Sequence, residues 1–151
     1  MKSLLLLLLF VVAAESLIWT TSSNCSCDPI DNLFIGKYEV KGDRCNPEAY
    51  CTRPLDQSYL IFYFSKEYRP PAAPEMGLTN LKGNRNFQKV SVTDEYAPIC
   101  VDGVWYAQKF RNAIQYTRTD TKKQEWINDP TELNNKKLKH EIRKVMCGNP
   151  M

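Results

Sequence analysis

At 151 residues, with 20 basic against 17 acidic side chains and a formal net charge of +3, the chain has room for one domain. That charge is too mild to mark a binder of nucleic acid or of an anionic membrane. Its single histidine excludes two-histidine acid–base chemistry, and no HExxH or GxSxG motif is present, so the sequence reads as no enzyme.

The chain opens with Lys2 and an apolar run from Leu4 to Ala14. Such a run is too short to cross a bilayer as a helix, which takes ~20 residues, and fits the apolar core of a secretory leader. We assign 1–23 to that leader, with cleavage anywhere from 14 to 24, and 24–151 to one secreted, extracellular domain. No later stretch reads as a membrane span. The six cysteines, at 25, 27, 45, 51, 100 and 147, all fall in the domain. An even count in a secreted chain reads as three disulfides, whose connectivity the sequence leaves open. A zinc site at Cys25-Ser26-Cys27 lacks a second ligand pair.

Along the domain, Lys37–Lys41 alternates around Tyr38 and Val40, the period of a half-buried strand. Tyr59–Phe64 (YLIFYF) is the strongest strand signal. Its aromatic residues read as core wall, not as a stacking platform for nucleic acid. Arg69–Pro74 (RPPAAP) must be a loop, and the Gly- and Asn-rich Gly77–Asn86 continues it. Lys89–Thr93 alternates again. Asp102-Gly103, set between Ile99-Cys100-Val101 and Val104-Trp105-Tyr106, marks a hairpin turn. A turn at Arg111-Asn112 leads from Phe110 to a strand carrying Ile114 and Tyr116, making five strands.

Asp129-Pro130-Thr131-Glu132 carries a helix-start signature. Leu138, Ile142 and Val145 then recur at four and three residues, predicting an amphipathic C-terminal helix ended by Cys147-Gly148, with His140 on its solvated face. Trp105 and Trp126 are expected in the core.

This order resembles the netrin-like domain of the tissue inhibitors of metalloproteinases. The resemblance rests on Cys25-Ser26-Cys27-Asp28-Pro29, on Ala97-Pro98-Ile99-Cys100-Val101, on Trp126, and on the close from Leu138 to Cys147-Gly148. It implies a mainly β fold, a five-stranded OB-type barrel with a C-terminal helix. It further implies a monomeric inhibitor of secreted or cell-surface zinc metalloproteinases. The free amine and carbonyl of the first mature residue, here Cys25, would chelate the protease's zinc and displace its water. Such a protein has no cofactor of its own. Ser26 would enter the specificity pocket, Cys27 and Asp28 would continue across the cleft, and Pro98, Ile99, Cys100 and Val101 would flank them. The resemblance implies a Cys25–Cys100 disulfide; Cys45–Cys51 then closes a local loop and Cys27–Cys147 is the remaining pair. Chelation requires Cys25 to be the first mature residue, whereas Asn24 ahead of it would block the amine and also forms the sequon Asn24-Cys25-Ser26.

Two alternatives stand beside this reading. One is an extracellular netrin-like binding module that never touches zinc. The other is a lipocalin-like small-molecule carrier, suggested by Phe34-Ile35-Gly36-Lys37-Tyr38-Glu39-Val40, but only five strand signals are readable against the eight such a barrel needs.

Overall fold

The computed structural model describes residues 25–52, 58–81, 89–136 and 138–148. The leader assigned to 1–23 and Asn24 lie outside the described residues. The chain is mainly β. Its smaller sheet runs β2 (Tyr38–Gly42), β3 (Pro47–Thr52), β6 (Lys89–Ser91). The larger runs β10 (Gln124–Ile127), β9 (Ile114–Thr117), β5 (Met76–Asn80), β4 (Tyr59–Tyr63), β11 (His140–Cys147), β8 (Val104–Ala107) and β7 (Ile99–Val101). β1 (Phe34–Gly36) lies parallel to β11, off that path. Among the described residues β10 and β7 stand unjoined at opposite ends of the path, so the larger sheet does not close on itself.

The chain passes from one sheet to the other at Gly36. There φ is +99°, and a side-chain carbon on that residue would meet the Cys147 carbonyl oxygen at 2.2 Å. Only glycine allows so close an approach of two backbones. Lys37 then donates its N–H to the Cys147 carbonyl (3.0 Å) and accepts from Thr52 N–H (2.8 Å), which joins both sheets at one point. The Cys51–Cys147 disulfide staples the same junction.

Between the sheets lies the core. Strand alternation turns Leu60 and Phe62 of β4 inward, where they are fully buried with Ile114, Val145, Phe110 and Tyr96. Phe62 stacks against Phe110 with ring centres 4.7 Å apart. Full burial of such side chains contributes roughly 1.5–3 kcal/mol each, and they set the inner face of every central strand.

Several expectations are met: the strand expected over Lys37–Lys41 forms at Tyr38–Gly42, that over Tyr59–Phe64 forms at Tyr59–Tyr63, Arg69–Pro74 is loop, Trp105 is buried, and Asp102-Gly103 makes the hairpin turn, with φ values of +49° and +83°. Others are corrected. Met76–Asn80 is a strand, not loop, because Gly77 serves packing: a side-chain carbon there would meet the Phe62 and Phe64 rings at 2.7 and 2.9 Å. Lys89–Ser91 is followed by a short helix, Val92–Tyr96, with the Ser91 hydroxyl capping Asp94 N–H (3.0 Å). Trp126 stands 46% exposed, since β10 is an edge strand and Trp126 lies on its outward face.

The expected C-terminal helix is the largest correction. Helix forms only over Thr131–Asn135, started by Asp129, whose carboxylate accepts from the Thr131 N–H (2.9 Å). The following His140–Cys147 is a central strand. Its ladder with β4 slips between Ile142 and Lys144, leaving Arg143 as an extra residue. The bulge turns an alternating inner set of His140, Ile142, Val145 and Cys147 into intervals of two, three and two. Three-residue spacing then imitates a helix.

The disulfides also differ from the expected set. They are Cys25–Cys45, Cys27–Cys100 and Cys51–Cys147, and no cysteine among the described residues is free. Cys45 and Cys51 do not close a local loop because β3 is extended between them, which puts them roughly 20 Å apart at ~3.4 Å per residue, beyond the ~7 Å reach of a disulfide. Cys27, not Cys25, is the one buried beside Cys100, and Cys25 continues outward to the turn at Cys45.

Candidate functional site

The residues singled out in sequence do converge. Asp28, Cys27, Ser26 and Cys25 run along the outside of the β7–β8 hairpin, fixed there by the Cys27–Cys100 disulfide with Cα atoms 5.9 Å apart. Cys27 N–H points at Cys100 Sγ (3.2 Å). The Trp105 indole N–H donates to the Asp28 carbonyl (2.8 Å), and Arg44 Nε to the Cys27 carbonyl (2.7 Å). Two successive carbonyls are thereby each given a side-chain donor, one a ring that is itself buried, the other the exposed Arg44.

At the other end Cys25 is joined to Cys45, whose turn is built by Asp43. That carboxylate accepts the Cys45 N–H (2.8 Å) and the Asn46 N–H (2.9 Å). These bonds hold the Asp43 carboxyl below the ordinary carboxylate range. Cys25 N–H is directed at Cys45 Sγ (3.1 Å).

The result is a ridge tied down on buried Cys27 and Trp105 and, at its side, by exposed Arg44 and half-buried Cys45. Cys27 is inaccessible, Ser26 and Asp28 are exposed, and Cys25 is half-buried. Ser26 lies over the hairpin tip, its carbonyl 3.9 Å from where a side chain on Gly103 would begin. Pro98, Ile99, Cys100 and Val101 form the half-buried flank. Chain direction into that flank is set by Ala97, a left-handed residue (φ +43°) that closes the helix Val92–Tyr96 and donates to Thr93 O (2.9 Å). Among the described residues no three His, Cys, Asp or Glu side chains gather as a metal site, and no helix is long and apolar enough to cross a membrane.

His140, expected on a solvated face, is 1% exposed. Its Nδ1 accepts the Ser65 N–H (3.0 Å), and its ring meets the edges or faces of Phe62, Phe64 and Phe110. Burial pulls its pKa down to about 4, against a small opposing pull from Glu67. Nε2 is buried without a partner. Its placement is invisible in sequence because it follows from the same bulge that disguised β11.

Fold and site together define a small, disulfide-stapled, mainly β domain with a rigid cysteine-flanked ridge. The chain belongs to the family described as TRA-1 regulated protein R03H10.4, whose model matches residues 23–147 and so takes in all six cysteines. No curated protein and no solved structure matches it.

Proposed function

We propose that the chain is a secreted inhibitor of zinc metalloproteinases that offers the Cys25–Asp28 ridge to the protease cleft. The observation that carries this reading is the fixing of an exposed Ser26 between two disulfide-bonded cysteines, with the carbonyls of Cys27 and Asp28 held by Arg44 and Trp105. A segment ordered before binding loses little conformational freedom on docking, which is what a tight cleft-filling inhibitor requires. In this reading the amine and carbonyl of Cys25 bind the protease's zinc in place of its water. Ser26 enters the adjoining pocket, Cys27 and Asp28 line the cleft, and Pro98 to Val101 make the flanking contact. The protein acts outside the cell as a monomer, without a cofactor of its own and without catalysis. The finer architecture that goes with this reading is a netrin-like, five-stranded OB-type core; the mainly β fold and three disulfides are the features that support it.

A second reading, an extracellular binding module that uses the same ridge without touching zinc, is favoured by one observation. Cys25 N–H faces Cys45 Sγ, so the nitrogen that chelation needs is turned toward the domain's own disulfide. Sequencing the mature N-terminus and titrating the protein against a panel of zinc endopeptidases separates the two. Mature Cys25 with stoichiometric inhibition, lost when one alanine is added ahead of it, establishes the inhibitor. A terminus at Asn24 or earlier with no inhibition leaves the binding module.

A further inference from the structure

The three disulfides do not stand alike toward solvent. Cys51 and Cys147 are 0% and 1% exposed, so their bridge is closed from both ends. Cys27 is 0% exposed, which closes the Cys27–Cys100 bridge from one end. In Cys25–Cys45 both cysteines keep part of their surface in water. A thiolate opens a disulfide by attacking one of its two sulfurs, and access decides which bridges it can reach.

The direction of attack sharpens this difference. Cys25 N–H is directed at Cys45 Sγ (3.1 Å), and Cys27 N–H at Cys100 Sγ (3.2 Å). A hydrogen bond to sulfur favours its thiolate and makes that sulfur the better leaving group. The favoured attack is therefore on Cys25 in the one bridge and on Cys27 in the other. Cys25 can be reached from solvent; Cys27 cannot. Cys25–Cys45 is also the bridge on which the fold depends least. It spans 20 residues of chain, against 73 and 96 for the others, and a shorter loop takes less freedom from the unfolded state. It joins no strand to another, only the end of the ridge to the exposed turn that Asp43 builds.

We propose that Cys25–Cys45 is a redox switch on the ridge, opened by a dithiol reductant while the other two bridges stay formed. One thiolate of the reductant attacks Cys25 Sγ, the S–S bond breaks, and its electron pair leaves on Cys45 Sγ, which takes a proton. The second thiolate attacks the reductant's own sulfur in the mixed disulfide and releases Cys25 as a thiol. Two electrons and two protons have then passed to the bridge, and the reductant ends as a disulfide. Cys27 and Asp28 keep their ties to Cys100, Arg44 and Trp105, while Cys25 and Ser26 lose the covalent tie on their outer side. A segment tied down from one side only loses order, and ordering it again on docking lowers affinity. The loss of affinity rests on the reading of the ridge as a docking element; the selective opening does not.

The test uses the disulfide-intact secreted protein, with dithiothreitol as the dithiol. Graded reduction, acid quench, alkylation and peptide mapping should show Cys25 and Cys45 labelled about tenfold faster than the other four cysteines. At that stage thermal unfolding should remain a single cooperative transition. Nitrogen-15 relaxation should show the Ser26 order parameter falling from about 0.85 to below about 0.6, with Asp28 unchanged. Cys25→Ser with Cys45→Ser should fold, form the other two bridges and show the same mobile Ser26 without any reductant. Against a zinc endopeptidase that the oxidised protein inhibits, this double variant should bind about tenfold more weakly. If the oxidised protein inhibits none, the inhibitor reading fails, and the switch is still decided by the mapping and the relaxation. Labelling of all six cysteines at one rate, opening of Cys27–Cys100 first, an unchanged Ser26 in the opened protein, or a double variant that cannot fold overturns the proposal.

Discussion

The Cys25–Asp28 ridge is held by two disulfides, an indole N–H and an arginine, with Ser26 and Asp28 in solvent. β11 is held the opposite way: it lies between β4 and β8 with β1 beside it, and His140, Ile142, Val145, Met146 and Cys147 are all buried. Burial fixes a segment by removing its surface from water, and so takes that surface away from any partner. Cross-links and hydrogen bonds from behind fix a segment and leave its crest available. The ridge can therefore be both rigid and accessible, while the centre of the sheet carries the stability.

The sharpest way to break this comparison is to shorten β11 by one residue. Removing Arg143, the extra residue of the bulge, should restore plain alternation with Lys144 outward and Val145 inward, and leave the Cys51–Cys147 disulfide intact. What is lost is the exposed Glu141 pair and the stack on Tyr63, each worth about 1 kcal/mol or less. Removing Val145 instead should turn Met146 and Cys147 to the wrong faces and forbid the disulfide, a loss beyond about 4–5 kcal/mol that leaves no folded monomer. Non-reducing peptide mapping and denaturant unfolding read both outcomes. Equal damage from the two deletions would mean that this segment is not a bulged strand.

That bulge also shows where sequence stops being legible. Tyr38–Gly42, Tyr59–Tyr63 and the Asp102-Gly103 turn were readable because each depends on its own alternation or its own turn chemistry. β11 was not, since an extra residue is defined only against the partner strand. Gly77 read as a loop residue, yet it is small because two phenylalanine rings from β4 and its end occupy the place of its side chain. The six cysteines announced three disulfides, but which pairs form depends on the parallel pairing of β1 with β11, which sets Gly36 beside Cys147, and on the extended span of β3. At the ridge, the resemblance implied a tie from Cys25 to Cys100; the tie runs through Cys27, with Cys25 carried to Cys45, and no spacing in the sequence marks that difference.

A smaller effect tests the buried side of the comparison through pH. His140 is the chain's one histidine, so its titration can be assigned cleanly. In the folded state it faces Ser65 N–H, three phenylalanine rings and, farther off, Glu67, and its pKa is about 4 against an ordinary 6.5. The unfolded chain thus takes up a proton more readily than the folded one. Stability is full above pH 6.5 and is lost as pH falls toward 4, at ~1.4 kcal/mol per unit at most. The carboxylates held low, Asp43, Glu67 and Asp129 among them, add their own losses only below about pH 4.5, the ordinary range of such groups. Between pH 6.5 and 5 the His140 loss should be about 1.5 kcal/mol. It is opposed in the lower part of that window by Glu95, whose carboxyl is pushed up by burial and which therefore takes its proton more readily when folded. His140→Phe, or His140→Gln if the first does not fold, should flatten that window. A slope that survives either substitution would show that the histidine is not buried.

The smallest expected effect lies on the exposed side, at Ala97. Its φ of +43° and ψ of +62° place a residue with a side chain in the left-handed region directly ahead of Pro98, where the chain turns from the helix Val92–Tyr96 into β7. That conformation costs an alanine roughly 1–2 kcal/mol and a glycine almost nothing. Glycine in turn makes the unfolded chain freer, which takes back roughly 0.4–1 kcal/mol. Ala97→Gly should therefore stabilise the domain by about 0.5–1 kcal/mol, read as a rise of a few degrees in melting temperature. The ridge should be unaffected, because its ties run through Cys27, Arg44 and Trp105 and none through the Ala97 side chain. Ala97→Val, which cannot relax at positive φ, should destabilise by more than Ala97→Gly stabilises. If both substitutions lowered stability alike, the turn would be held by packing of the alanine methyl group and not by the backbone, and the flank of the ridge would be a buried feature after all.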